Sequence, residues 1–390
     1  MPDTDTGEEV LEEVVDLLCE LVRFRSTADR PDQLEALANF VEDYVREAPL
    51  HVRRYRFGDK PALVLTTRDT TEPTLFYQGH LDVVDGEDEQ FEPKIVGDRL
   101  YGRGTVDMKG FVALILHLLK RKALEGNELD VGAMLTFDEE IGGDNGAARL
   151  AELGWRSKIL VNGDGGYNFA LTYAEKGILK FKMAVRTQPG RHPYPWQGQN
   201  AFDLLIRNYN RVVALFPEQD VATDTDNWYT TFSSYDVRVE NGALSAPHYA
   251  ELKMNVYFTK PWTAEECFRR IRSVVDDRVE LTLLSKSERV YVNPDNPVFR
   301  QMQAILEKHF GRPFPARAEN GSSDARFFTG KGIDILILKL VGEGHHTPEE
   351  YVHIPSILPM YRAVEEFTER FARVGRSSDE TVEARNEVAR

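Results

Sequence analysis

The stretch "TLFYQGHLDVVDG", residues 74–86, decides how the rest of the chain is read. Residues 74–79 form an apolar run of strand character that leads directly into His80 and Asp82. An imidazole and a carboxylate at the end of such a run are tolerated near a core only when they are paired. Residues i and i+2 of a strand share a face. The Asp82 carboxylate is therefore placed to accept the second N–H of His80 and to fix the tautomer that binds a metal.

The same arrangement recurs further along. "VGAMLTF" (131–137) reads as a strand and runs into Glu139 and Glu140. "KILVNG" (158–163) runs into Asp164 and two glycines, and "DILILKL" (334–340) leads on to His345 and His346. The loop "LYGRGTVDMKG" sets Asp107 just before the apolar helix "GFVALILHLLKRKAL" (110–124). Helical segments fall between the strands: 8–23, 33–47, 145–153 and 297–310. This alternation predicts an α/β fold with a mostly parallel sheet and helices on both faces. In such sheets ligands bind at the carboxyl ends of the strands, so these acidic and imidazole groups can converge.

From about Gly177 the pattern changes. "GILKFKMAVR" alternates apolar and basic residues, as an antiparallel strand with one wet face does. Two more strands, in "YTTFSSYDVRV" and "AELKMNVYFTK", and two helices, in "NAFDLLIRNYNRVVALF" and "TAEECFRRIRSVVDD", complete an inserted α+β domain. The expected domains are 1–176 and 290–390 for a discontinuous catalytic domain and 177–289 for the insert. The tail from about 375 is expected to be mobile.

Composition narrows the function. The chain has 390 residues and a formal charge of −16, which disfavours nucleic acid. Its two cysteines, Cys19 and Cys267, cannot build a disulfide framework and suit a reducing compartment. No apolar run is long enough to span a bilayer, and "MPDTDTGEEV" lacks the marks of a signal peptide. The expectation is a soluble cytoplasmic protein. No Gly-rich phosphate loop follows the first strand, which disfavours a nucleotide-binding protein.

Two imidazoles and three carboxylates, one of them bridging, suit a pair of divalent cations roughly 3.5–4 Å apart. Zinc is the first expectation, with cobalt or manganese as alternatives. Glu139, next to a ligand, is placed to act as an acid or base. The residues alone leave both His345 and His346 open as the second imidazole.

At these positions the sequence resembles the M20 metallopeptidases. That family includes acetylornithine deacetylase, succinyl-diaminopimelate desuccinylase, glutamate carboxypeptidase and related di- and tripeptidases. The matching segments are "GHLDVV", "LYGRGTVDMKG", "DEEIGG", "SSDARFF" and "HHTPEEYV". The resemblance implies that His80 and Asp164 bind one metal, that Glu140 and His346 bind the other, and that Asp107 bridges them. It implies Glu139 as general base and Asp82 as the residue that orients His80. It further implies an insert acting as lid and homodimerisation domain, His192 as a polariser of the scissile carbonyl, and Asn200 and Arg326 as substrate-binding residues. Arg326 would pair with a substrate carboxylate.

The implied activity is hydrolysis of the amide bond of an N-acyl amino acid, with a dipeptidase or carboxypeptidase as the alternative. A relative that binds metal without catalysis is the rival from another class. The insert departs from the family pattern. The His192–Asn200 stretch is one residue shorter, Leu244 stands where Asn is frequent, and Tyr257 stands where Arg is common.

Overall fold

The computed structural model describes residues 5–126, 128–217 and 228–373. The tail from about 375 lies outside them. The described chain divides into two units. The second comprises Ala174–Tyr291 and Ala318–Ser322, and the first comprises the rest.

The first unit is built on a mixed sheet. Its strands are β1 (His51–Phe57), β2 (Lys60–Thr66), β3 (Leu75–His80), β6 (Val131–Thr136), β7 (Ile159–Asn162), β8 (Leu171–Glu175) and β15 (Asp334–Ile337). Their order is β1-β2-β6-β3-β7-β15-β8; β8 passes into the second unit at Ala174, where β13 (Val290–Tyr291) pairs with it, and β14 (Ala316–Glu319) also pairs with β8. The four central strands, β6, β3, β7 and β15, run parallel. The flanking pairs β1–β2, β2–β6 and β15–β8 are antiparallel. "Mostly parallel" therefore holds at the centre only. The sequence reading passed over the β1–β2 hairpin.

Phe76 and Tyr77 show how the sheet is covered. They are adjacent in β3, so they point to opposite faces, and both are fully buried. Tyr77 meets Phe111 and bonds through its hydroxyl to Thr368. Phe76 packs edge-on against Trp155. One face thus carries α3 (Lys109–Leu124) and α8 (Ile357–Phe371). The other carries the segment that follows α4 (Ala147–Glu152). Every residue of β2, β3, β6 and β7 is buried, as expected for strands covered on both sides. Residues 109–119 of α3 are buried all round, which marks an internal helix.

α1 (Asp5–Val22), α2 (Pro31–Val45) and α7 (Pro297–Phe310) complete the first unit. Asn296 caps α7 and Gly311, at φ 63°, ends it. A second, small sheet has the order β16-β17-β5-β4. Its strands are β4 (Lys94–Val96), β5 (Arg99–Tyr101), β16 (Gly342–Glu343) and β17 (Tyr351–His353).

The second unit is an antiparallel sheet of order β10-β11-β9-β12. Its strands are β9 (Gly177–Arg186), β10 (Thr231–Asn241), β11 (Pro247–Phe258) and β12 (Val279–Ser287). Burial alternates along β11, whose buried face meets α5 (Ala201–Val213), while α6 (Ala264–Val274) packs on β9 and β12. Phe181, Leu204, Leu205, Met254, Phe258 and Ile271 form part of that core. The buried Asn208 ties α5 to the segment after α6: its amide donates to Leu204 O at 2.8 Å and its oxygen accepts Asp276 N–H at 2.7 Å. Among the described residues no helix is long and apolar enough to cross a membrane.

Candidate metal centre

The parallel strands deliver the side chains. β3 ends on His80, which is 2% exposed. Its Nδ1 lies 3.0 Å from the main-chain oxygen of Asp82. A carbonyl can only accept, so Nδ1 carries the proton and Nε2 is left as the ligating atom. The Asp82 carboxylate is 3.6 Å from Nδ1 and also accepts the N–H groups of Glu139 at 3.2 Å and Glu140 at 3.0 Å. Asp82 orients His80 through its backbone and holds the Glu139–Glu140 turn through its side chain.

Asp107 stands between the two imidazoles. Its Oδ1 is 3.1 Å from His80 Nε2, and its Oδ2 is 3.1 Å from His346 Nε2. His346 Nε2 is also 3.1 Å from Glu140 Oε2. His345 is exposed and makes no such contact among the described residues. The strand expected to deliver His346 ends at Ile337. His346 is carried instead by the turn between β16 and β17, at φ 60°. A non-glycine residue in that conformation is held there by its surroundings.

Asp164 follows β7, and its N–H donates to Asn162 Oδ1 at 2.7 Å in a local turn. Two donor groups result. His80, Asp107 and Glu140 each offer an atom within 4.8 Å of the others, and so do His80, Glu139 and Asp164. A mixed nitrogen and carboxylate set of this kind fits a divalent transition metal such as zinc.

The electrostatics agree with that fit. Burial pushes the His80 imidazole down, but the Asp107 and Asp82 carboxylates overcome it and hold it well above its ordinary value. His346 is raised to about 10 by Asp107 and Glu140, against the effect of burial. For Asp107 burial works upward, yet the two imidazoles hold it well below the usual carboxylate range. A cation bound among these groups would have to displace protons from the imidazoles.

Glu139 is pushed up to about 8, by burial first and by Asp324 second, with His80 and Arg326 opposing. Arg326, expected at a substrate carboxylate, lies beside this group. It is 7% exposed. Its Nη1 donates to Glu139 Oε1 at 3.3 Å and its Nη2 to Gly142 O at 2.8 Å. Through these bonds it holds the Glu139 turn. His192 and Asn200 lie in the second unit. His192 is exposed there. Asn200 caps α5, its side-chain oxygen accepting Phe202 N–H at 2.9 Å and Asp203 N–H at 3.4 Å.

Sequence reasoning missed two buried acids. Glu350 accepts the Val106 N–H at 3.1 Å and the Asp107 N–H at 3.3 Å on one oxygen. Its other oxygen takes Arg103 at 2.8 Å, so it pins the loop that presents Asp107. Asp324 accepts from Thr136 at 3.2 Å and lies 3.5 Å from Arg326. Both stand inside quoted motifs, "HHTPEEYV" and "SSDARFF". Nothing in their spacing distinguishes them from solvated acids.

Comparison with known proteins is consistent with this geometry. Residues 76–370 match the model of peptidase family M20/M25/M40. Succinyl-diaminopimelate desuccinylase of Stenotrophomonas maltophilia is 26% identical over 368 residues, covering 88% of this chain and 95% of that one. The desuccinylase of Sulfurovum is 24% identical, covering 92% and 99%. Among solved structures, a tripeptidase from Staphylococcus aureus aligns with a TM-score of 0.75 at 16% identity, covering 93% and 99%. An M20 family metallo-carboxypeptidase from Sulfolobus solfataricus aligns at 0.72 and 16%, covering 92% and 99%. These likenesses show the α/β fold with its separate sheet-rich unit. The chain belongs to peptidase family M20/M25/M40, metal-dependent hydrolases of amide and peptide bonds.

Proposed function

We propose that this chain is a di-metal amidohydrolase that releases the acyl group of an N-acyl amino acid, of the succinyl-diaminopimelate desuccinylase or acetylornithine deacetylase type. The observation that carries the reading is the convergence of His80, His346 and Glu140 on Asp107, with Glu139 beside them. His80 and Asp164 would hold one ion, Glu140 and His346 the other, and Asp107 both. Divalent ions held there supply Lewis acidity toward the amide carbonyl and acidify water.

The chain's own residues do the proton work. Arg326 fixes Oε1 of Glu139, which leaves Oε2 to take a proton from water and hand it to the departing amine. Asp82 holds the backbone of the same turn, so the carboxyl cannot drift. Products are a carboxylate and a free amine, and the proton balance closes on Glu139.

The names of the curated relatives support a succinyl donor. A homodimer through the second unit belongs to the same reading. β10 is an edge strand that leaves Tyr235, Val237 and Val239 exposed, and an open edge is a site for pairing. A cytoplasmic location belongs to it too, supported by the free thiols of Cys19 and Cys267.

The test is a hydrolysis panel on metal-loaded protein. It would hold N-succinyl-diaminopimelate, N-acetylornithine, other N-acyl amino acids and dipeptides. Amine release from an acyl amino acid supports the reading. Cleavage of dipeptides alone overturns the substrate class and leaves the family.

A further inference from the structure

His346 is not held in place by burial. Its side chain is 48% exposed, against 2% for that of His80. Its backbone stands at φ 60°, in the turn between β16 and β17. Such a conformation persists only where neighbours determine it. Bonds within the turn are local. Thr347 donates twice to Gly344 O, from its N–H at 2.9 Å and from its hydroxyl at 2.8 Å. Glu349 N–H donates to Thr347 Oγ1 at 3.3 Å. Among the described residues, one side chain from elsewhere bonds the backbone of residues 344–349. Gln90 Nε2 donates to Thr347 O at 3.0 Å, next to His346.

Gln90 is itself oriented for this bond. It belongs to the short helical turn Asp88–Phe91, and its Oε1 accepts Glu87 N–H at 3.1 Å in a capping box. An N–H on one side and a carbonyl on the other decide which end of the amide is which. Glutamate would keep the acceptor and lose the donor. The main-chain oxygen of Gln90 accepts Arg103 N–H at 2.7 Å. Arg103 in turn reaches Glu350, which pins the Asp107 loop. One residue therefore braces both the turn that presents His346 and the loop that presents Asp107.

We propose that Gln90 is the positioning residue for His346. Its amide keeps the imidazole aimed at Asp107 and Glu140, and so sets the affinity of the ion that Glu140 and His346 would hold. The ion of His80 and Asp164 is left unaffected. The affinity rests on the di-metal reading, whereas the hold on the turn does not. Loss of a partner behind a metal ligand costs about tenfold or more in affinity.

The experiment compares Gln90→Glu with the unmodified chain in two measurements. The first is hydrogen–deuterium exchange over residues 344–349 of the metal-free protein. The second is zinc titration against a competing chelator. Glutamate preserves the capping box, and its added negative charge by itself favours a cation, so a fall in affinity reports lost positioning. The expected result is exchange about tenfold faster in the turn, with one zinc ion bound about tenfold more weakly and the other unchanged. Unchanged exchange overturns the proposal. So does equal weakening of both ions, which a merely structural role would give, or no weakening of either. An unmodified chain that takes up fewer than two ions removes the di-metal reading instead, and exchange in the metal-free protein then decides the role of Gln90. Should Gln90→Glu fail to fold, Gln90→Met is read in the same way.

Discussion

Asp107 gives one carboxylate oxygen to each imidazole, Oδ1 at 3.1 Å from His80 Nε2 and Oδ2 at 3.1 Å from His346 Nε2. One residue thereby ties a strand end of the central sheet to a turn of the small sheet. Without a cation those contacts are held by protons. Metal must displace them, so affinity for zinc is predicted to rise with pH, by about tenfold per unit for each proton displaced. The rise should continue toward pH 10, where His346 titrates. Calorimetry in buffers of different ionisation enthalpy should read proton release on binding. Affinity that is flat between pH 6 and 9 would contradict the assignment.

Stability of the metal-stripped protein should fall as pH rises from 5 to 7. Glu139 is raised to about 8 and Asp138 to about 7, both by burial first. In that window the folded chain holds protons that the unfolded chain has lost, so the slope is negative. Thermal midpoints at the two pH values check the sign. Asp138→Asn should flatten the slope.

Glu350→Gln is predicted to lower both stability and metal affinity. The substitution leaves Arg103 buried without its charge, and breaking a buried pair costs about 3–5 kcal/mol. The Asp107 loop loses the acceptor that pins it. Denaturant titration and metal competition would measure the two effects. A change in stability alone would show that the loop holds its shape without Glu350.

Asn200→Ala should destabilise the chain by about 1 kcal/mol through loss of the α5 cap. KM per folded molecule should stay unchanged. A raised KM with normal stability would return Asn200 to the substrate-binding role that the family resemblance implies.

These cases show what the sequence makes legible. His80 stands out because it ends a run that is buried on both faces, where a polar residue needs a reason. Glu139, Glu140 and Asp164 follow such runs by a few residues and stand out for the same reason. The antiparallel flanks were not legible in the same way. β1 is largely exposed and carries no apolar run, while β2 carries a buried one, Pro61–Leu65, whose antiparallel pairing leaves no mark in its spacing. His346 reads as following a strand end because the apolar run continues to Leu340, whereas β15 stops at Ile337. Contacts across long separations left no trace in spacing. Glu350 reaches Val106 from 244 residues away, and Arg326 reaches Glu139 from 187. Asp82 was read from strand periodicity, yet the chain leaves the strand after His80 and its carboxylate turns to the Glu139 backbone.

The proposed function requires Glu139 to move the proton at a metal site that other residues hold together. The most direct test measures metal content and turnover on one preparation of Glu139→Gln. Bound metal is expected to equal that of the unmodified protein while turnover of its acyl amino acid falls by about 10²–10⁴-fold. Unchanged turnover with full metal would contradict it, and so would loss of metal in step with activity.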